Sequence, residues 1–219
     1  MHAACFGLDG TLGRYAADFG DYAAWLRNEL ALHQCDMNAF AMALSEETRR
    51  DGPLSLALAL GRVLDRLQQR RPADLDGVAR TAVSVYAADY RPLPGAEAAL
   101  AALDARGVRL ALVTDGPDDL QRAALAATGL ARYFRAVIVS GDPDVAARMP
   151  APRQYDLACA GLESAPASTF MVGCDPDVDV GGAVAFGMRA VLVGRGGGTV
   201  PAGVLVAADL AGAVRALGA

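Results

Sequence analysis

The chain opens with an apolar run that leads into an acidic turn, Ala3-Ala4-Cys5-Phe6-Gly7-Leu8-Asp9-Gly10-Thr11-Leu12. A short apolar run that is bounded by a turn signal is typical of a strand buried in a parallel sheet. Asp9 stands where this strand ends and the chain turns. Ligands of open α/β sheets bind beyond the carboxyl ends of the strands, so we expect this turn to belong to the functional site.

The spacing of apolar residues divides the rest of the chain into two kinds of structure. Between residues 15 and 90 they recur at intervals of three and four, which predicts a block of helices. After residue 91 the pattern predicts alternating helices and strands, which indicates right-handed crossovers and a parallel sheet flanked by helices, an α/β fold. The predicted strands are 108–113, 136–140, 169–173 and 190–193, and the predicted helices are 94–106, 117–128, 152–161 and 178–187.

The first turn, Gly7-Leu8-Asp9-Gly10-Thr11, resembles the Asp-x-Asp-Gly-Thr motif of the haloacid dehalogenase (HAD) superfamily of phosphohydrolases. In that family the first aspartate attacks phosphorus and the second acts as acid and base. The resemblance places Asp9 at the acid/base position and Gly7 at the nucleophile position. A shifted register would make Asp9 the nucleophile, but the Gly-Thr pair directly follows Asp9, which favours a lost nucleophile.

The resemblance extends over essentially the whole chain and implies a domain organisation. It implies a HAD-like Rossmannoid core formed by residues 1–14 and 91–219. Residues 15–90 would be an inserted all-helical cap, as in the branch that includes phosphoglycolate phosphatases.

The second motif of the family is a strand that ends in Ser or Thr, and here it reads Val113-Thr114-Asp115-Gly116. The resemblance implies that Thr114, Asp115 and Gly116, together with Thr11 of the first motif, bind the phosphoryl group of a substrate. The amides at the start of the following helix would favour an anion. The alternative is an ordinary strand-to-helix turn that Thr or Asp caps.

The third motif supplies a lysine, and the recognisable frame here is Met149-Pro150-Ala151-Pro152-Arg153-Gln154-Tyr155. Met149 holds the lysine position, so the positive charge is lost there. Arg148 precedes it by one residue. Neighbouring residues of an extended segment point to opposite sides, so we expect Arg148 to point away from the site.

The fourth motif holds Mg²⁺ through two aspartates, and here it reads Gly173-Cys174-Asp175-Pro176-Asp177-Val178-Asp179. Asp179 matches the second metal ligand, whereas Cys174 holds the first acidic position. A thiol is a poor ligand for Mg²⁺, which prefers oxygen. Asp175 would replace the missing carboxylate only in a rearranged turn. The alternative role of these aspartates is to form the turn and to cap the next helix.

Three charged groups of the family's site are therefore replaced together. We expect a HAD-like protein that has lost the aspartyl-phosphate mechanism, a pseudoenzyme without a cofactor, which binds a small phosphorylated or anionic ligand or a partner. The alternative is an active Mg²⁺-dependent phosphomonoesterase that uses Asp9 or Asp175 in a rearranged site. Dehalogenation is less expected than either function, because it needs the same aspartate that is missing at position 7.

Composition restricts the function further. All 20 basic residues are arginine and the net charge is −5, which argues against a nucleic-acid partner. The four scattered cysteines and two histidines do not form a zinc motif or a Ser-His or Cys-His catalytic pair. The absence of an apolar run of membrane-spanning length predicts a soluble, cytoplasmic protein that does not bind membranes. The oligomeric state stays open.

Overall fold

The computed structural model describes residues 3–194 and 199–218, and its main feature is a six-stranded parallel sheet. The strands are β1 (Ala3–Phe6), β2 (Gly13–Tyr15), β3 (Tyr90–Pro92), β4 (Arg109–Thr114), β5 (Ala136–Val139), β6 (Thr169–Gly173), β7 (Arg189–Val193) and β8 (Leu205–Ala207). The sheet has the order β5-β4-β1-β6-β7-β8, while β2 and β3 form a separate antiparallel pair. The α/β fold with a parallel sheet is confirmed.

Helices cover the sheet and fill the segment between β2 and β3. They are α1 (Phe19–Glu29), α2 (Met37–Glu47), α3 (Leu56–Arg66), α4 (Leu75–Ala88), α5 (Ala96–Asp104), α6 (Asp118–Thr128), α7 (Pro152–Gly161), α8 (Gly182–Phe186) and α9 (Leu210–Ala216). In the part of the chain that the structure describes, no helix is both long enough and apolar enough to cross a membrane.

Strand β1 lies at the centre of the sheet and is completely buried. It pairs in parallel with β4 on one side and with β6 on the other, so Phe6 faces Leu112 and Val172 in the register. Neither face of a strand that is buried on both sides meets water, which explains why the sequence of β1 is continuously apolar. The turns that follow β1, β4 and β6 consequently meet at one edge of the sheet.

One predicted helix differs from the structure. Instead of a single helix over 178–187, residues Pro176–Gly181 form a π-helical turn and α8 follows it. The Val180 N–H donates to the Asp175 carbonyl, five residues earlier. Apolar spacing indicates a helix here but does not distinguish this bonding pattern from the usual one of four residues.

Helices α1 to α4 have a hydrophobic core of their own, built around buried Phe40, Leu60 and Leu64. Tyr22 packs into the same core and its hydroxyl donates to the Ala82 carbonyl. The strands β2 and β3 join this block, which we call the cap, to the sheet. These contacts support the predicted division into residues 15–90 and the remainder, which stays a prediction.

The loop before α3 ties the cap to the sheet edge. The Leu54 N–H donates to the Gly141 carbonyl at 2.9 Å, and the Leu54 carbonyl accepts from the Asp118 N–H at 2.8 Å. A Cβ at Gly141 would lie 2.5 Å from the Leu54 carbonyl oxygen, so a side chain would separate these backbones. The cap is therefore tied to the segments that follow β4 and β5.

Candidate functional site

A cleft of about 680 Å³ lies between the cap and the carboxyl edge of the sheet. Its walls come from the turns after β1, β4 and β6, from the segment before α7, and from the cap. The principal lining residues are Gly7, Asp9, Thr114, Asp115, Gly116, Gln121, Arg148, Met149, Cys174, Asp175 and Asp179 from the sheet side, and Phe19, Tyr22, Leu44, Thr48, Arg49 and Tyr86 from the cap. The structure thus brings together the four motif turns that were separate in the sequence.

Gly7 directly follows β1, and its N–H donates to the Val172 carbonyl at 3.0 Å. Its φ is not in the positive range that favours glycine. A Cβ built on Gly7 would lie 3.1 Å from Thr11 Oγ1 and 3.6 Å from Asp179 Oδ2, so a side chain needs only a small shift of Thr11. The backbone does not require glycine, and the position simply carries no functional group.

Thr11 lies behind Gly7 and is buried, but it is not among the cavity-lining residues. Its hydroxyl has no hydrogen-bond partner of normal geometry in the described residues. Its predicted role in substrate binding stays a prediction.

Asp9 is held by two residues that the sequence analysis did not identify. Its Oδ1 accepts from the Tyr90 hydroxyl at 2.6 Å, and its Oδ2 accepts from Gln121 Nε2 at 3.1 Å. Burial raises the pKa of Asp9, and these two hydrogen bonds oppose that rise. The carboxyl group faces the cleft with both oxygens already engaged.

The residues of the second motif line the cleft, but their polar groups bind neighbouring protein atoms. The Thr114 hydroxyl donates to Gln121 Oε1 at 2.9 Å, and the Gly116 N–H donates to Ser140 Oγ at 2.9 Å. The Asp115 carboxylate accepts from the side-chain amide of Gln154 at 2.5 Å, and burial raises its pKa. Their assignment to substrate binding stays a prediction.

Arg148 and Met149 line the same cavity, so the expectation that Arg148 points away from the site is wrong. Alternation of sides applies to an extended strand, whereas here the Ala151 N–H donates to the Arg148 carbonyl and closes a turn. Met149 is buried and packs against Tyr155 and other apolar residues of the core. Arg148 is therefore a cation of the cleft that the sequence analysis had set aside.

Four hydrogen bonds of the fourth motif join residues of the motif to one another. Asp179 Oδ2 accepts from the N–H groups of Cys174 and Asp175, at 2.9 and 3.0 Å. Burial raises the pKa of Asp179 to about 6. Asp175 caps the next turn through Oδ1, which accepts from the N–H groups of Asp177 and Val178. The Cys174 thiol, whose pKa burial raises, lies 3.4 Å from the Asp9 carbonyl oxygen.

The donor set at this edge does not fit Mg²⁺. Octahedral Mg²⁺ needs oxygen ligands that are free to point at it. Both oxygens of Asp9 and one oxygen of Asp179 are engaged by protein donors, and Cys174 presents sulfur. Among residues 3–194 and 199–218, no group of three or more His, Cys, Asp or Glu side chains is arranged to hold a metal. The assignment of Asp179 and Asp175 to a metal therefore stays a prediction, and it requires this turn to rearrange.

Comparison with known proteins shows that this chain is similar in sequence to proteins named as phosphatases. Phosphoserine phosphatase from Thermus thermophilus is 44% identical over 107 residues, which are 49% of this chain and 42% of that protein. Ribulose-1,5-bisphosphate 5-phosphatase from Halopiger xanaduensis is 30% identical over 201 residues, which are 87% of this chain and 83% of that protein. The chain thus spans less than half the length of the Thermus protein but most of the Halopiger protein.

A solved structure and a family model agree with these relatives. The crystal structure of a HAD phosphatase from Thermococcus onnurineus has a TM-score of 0.74 and 25% identity, and the match covers 100% of this chain and 98% of that chain. The family model described as haloacid dehalogenase-like hydrolase matches residues 1–187. Together with the parallel sheet, the cap and the four converging turns, these matches show that the chain belongs to the haloacid dehalogenase-like hydrolase family.

Proposed function

We propose that this chain binds a small phosphorylated ligand in the cleft between cap and sheet, without forming an aspartyl-phosphate. The observation that carries the proposal is Gly7. At the strand end where the resemblance expects the attacking carboxylate, the cavity wall has only a hydrogen atom. A covalent phosphoryl intermediate needs a nucleophile, and no carboxylate takes the place of one at this position.

The cleft has the properties of a small-molecule site. Its volume of about 680 Å³ falls within the usual range for such sites, roughly 300–1,000 Å³. Apolar side chains of the cap, such as Phe19 and Leu44, face polar groups of the sheet edge. Two arginines, Arg49 from the cap and Arg148 from the sheet side, supply positive charge in a cleft that four aspartates also line. An anionic ligand is therefore favoured next to the arginines and not over the whole cleft.

The start of α6 contributes less to anion binding than its position suggests. The Asp118 N–H already donates to the Leu54 carbonyl, and the Leu120 N–H donates to the carboxylate of Asp119. Free amides at a helix start attract anions, but these two are engaged. The arginines therefore carry most of the expected attraction.

A second candidate is a phosphomonoesterase that acts through a rearranged site. The names of the curated relatives favour this candidate over the first, because each of the two described above is a phosphatase. Asp9 supports it as well, since its burial-raised pKa suits a group that holds a proton for a leaving oxygen. This second candidate requires Asp9 to break its hydrogen bond with Tyr90 or Gln121. It also requires another group to replace the missing nucleophile.

One experiment separates the two candidates. Calorimetric titration measures binding of phosphoserine, phosphoglycolate and ribulose-1,5-bisphosphate, and release of inorganic phosphate is followed for the same compounds and for para-nitrophenyl phosphate with Mg²⁺. The first candidate predicts saturable binding of at least one compound and release at the rate of buffer. Mg²⁺-dependent release that Asp9→Asn abolishes would establish the second candidate instead.

A variant series gives the control. Gly7→Asp restores a carboxylate at the nucleophile position, and Gly7→Ala adds the same Cβ without one. Under the first candidate the unmodified chain and Gly7→Ala are equally inactive. If none of the compounds binds to the chain and none releases phosphate, both candidates fail.

A further inference from the structure

We infer that Arg148 is the side chain that binds the oxyanion of a ligand in this cleft. The inference rests on the proposed function and names the group that recognises the phosphoryl. Met149, at the position where the resemblance expects a lysine, is apolar and buried. The cation comes instead from the residue before it, through a turn of the backbone.

The backbone of Arg148 is fixed from both sides of the cleft. Its N–H donates to Asp51 Oδ1 of the cap at 3.1 Å, and its carbonyl accepts from the Ala151 N–H at 2.9 Å. The neighbouring Met149 N–H donates to Asp115 Oδ1 at 3.1 Å. The side chain therefore leaves the backbone from a defined point on the cavity wall.

The guanidinium of Arg148 is only partly used within the protein. Its Nη2 lies 3.6 Å from Asp115 Oδ2, beyond the usual range of a hydrogen bond. Its Nη1 is buried and has no hydrogen-bond partner among the residues that the structure describes. A buried donor without a partner is unfavourable, and a small rotation of the guanidinium that brings Nη1 to a ligand oxyanion would satisfy it with a charge-assisted hydrogen bond.

The nearby carboxylate of Asp115 forms an ion pair with this guanidinium at 3.6 Å, without a hydrogen bond. Asp115 Oδ1 already accepts from the Met149 N–H and from Gln154 Nε2. Asp115 instead orients the arginine, since its other oxygen lies nearest to Nη2. About a fifth of the Arg148 side chain, 21%, stays exposed, and the residue lines the cavity. The ligand class that we infer is a small oxyanion such as a phosphate or a phosphomonoester.

The test uses inorganic phosphate as the probe and calorimetric titration of the full chain. Arg148→Gln removes the charge at similar length, and Arg148→Lys keeps the charge but loses the planar fork. The control is Arg122→Gln, because Arg122 pairs with Asp118 and Asp142 and does not line the cavity. We expect phosphate affinity to fall at least about tenfold in Arg148→Gln, less in Arg148→Lys, and to stay unchanged in Arg122→Gln.

The outcomes distinguish this inference from the proposed function. Equal phosphate affinity in the unmodified chain and in Arg148→Gln overturns the role of Arg148 and leaves the proposed function standing. An equal loss in both Arg148 variants supports a contact that needs the planar guanidinium. If the unmodified chain binds neither phosphate nor any phosphorylated compound, both fail. Thermal unfolding of each variant checks folding, and if Arg148→Gln unfolds, a loss of affinity in folded Arg148→Lys tests the same contact.

Discussion

At position 7 the φ angle lies outside the positive range that favours glycine, so the backbone does not require glycine there. What distinguishes the site is the chemistry around it. Asp9 keeps its carboxyl group but uses both oxygens to bind Tyr90 and Gln121, and Asp179 uses one oxygen to bind two backbone N–H groups. At the residue scale the retained acids are hydrogen-bonded to neighbouring groups in the wall of the cleft.

Asp179 leads to a prediction about pH. Its pKa is raised from 3.8 to about 6 by burial, so the folded chain holds the proton more tightly than the unfolded chain does. The contribution of Asp179 to the free energy of unfolding is therefore greatest below about pH 4 and is lost as the pH rises towards and beyond 6. We expect Asp179→Asn, which stays neutral, to gain stability relative to the unmodified chain between pH 4 and pH 7, by at most roughly 3 kcal/mol.

Urea unfolding of both proteins across this pH range, in buffer with a chelator, measures the difference. The control is Asp177→Asn, two residues away, because Asp177 is exposed. A difference between Asp179→Asn and the unmodified chain that does not change with pH would contradict the buried, raised pKa.

At the element scale, the contact between α3 and α6 holds the cap. The N–H of Leu56, in the first turn of α3, has no partner within its own helix and donates to both oxygens of Asp119, at 2.9 and 3.2 Å. Asp119 belongs to the first turn of α6, on the sheet side of the cleft. A carboxylate of one element thus caps a helix of another, and the two elements form opposite walls of the same cavity.

Two adjacent aspartates allow a matched test of this contact. Asp119→Ala removes the acceptor of the Leu56 N–H and should lower the free energy of unfolding by about 1–2 kcal/mol, as the loss of a helix cap does. Asp118→Ala removes only a surface ion pair with Arg122 and should cost about 0–1 kcal/mol. Chemical unfolding measures both, and hydrogen exchange should be faster at α3 in the first variant only. Equal effects would mean that Asp119 does not hold the cap.

At the scale of the whole molecule, the cleft lies where the core of the cap meets the edge of a sheet that is packed on both faces. Apolar clusters cover the two faces of β1, β4 and β6, and another lies within the cap. Among the residues that the structure describes, no group of three or more His, Cys, Asp or Glu side chains in or near the cleft is arranged to hold a metal. Because Cys174 presents sulfur at the first acidic position of the fourth motif, we expect the ligands of the cleft to be recognised without Mg²⁺.

A thermal-shift measurement with Mg²⁺ checks this expectation. A ligand that binds only the folded state raises the melting temperature, so millimolar Mg²⁺ should change it by less than about 1 °C. The matched control is the double variant Gly7→Asp, Cys174→Asp, which adds carboxylates at the nucleophile position and at the first metal position. We expect Mg²⁺ to stabilise this variant, and an equal stabilisation of the unmodified chain would show that its residues hold the metal after all.

The sequence by itself determined most of the elements and the places where chemistry was to be sought, whereas β2, β3, β8 and α9 were not predicted. The run from Ala3 to Phe6, the helical spacing up to residue 90 and the later alternation predict the parallel sheet, because period and turn residues are local properties of the chain. The strand over 169–173 and the helix over 152–161 match the structure at both ends. The glycine at position 7 and the methionine at position 149 were equally visible, since each is identified by its place in a motif.

Only the tertiary structure decided how these groups are used. Tyr90 and Gln121 reach Asp9 across 81 and 112 residues of sequence, and Asp119 reaches Leu56 across 63. The direction of Arg148 depends on a turn that apolar spacing does not encode. Contacts of this kind follow from how packed elements meet, and no periodicity within one element carries that information.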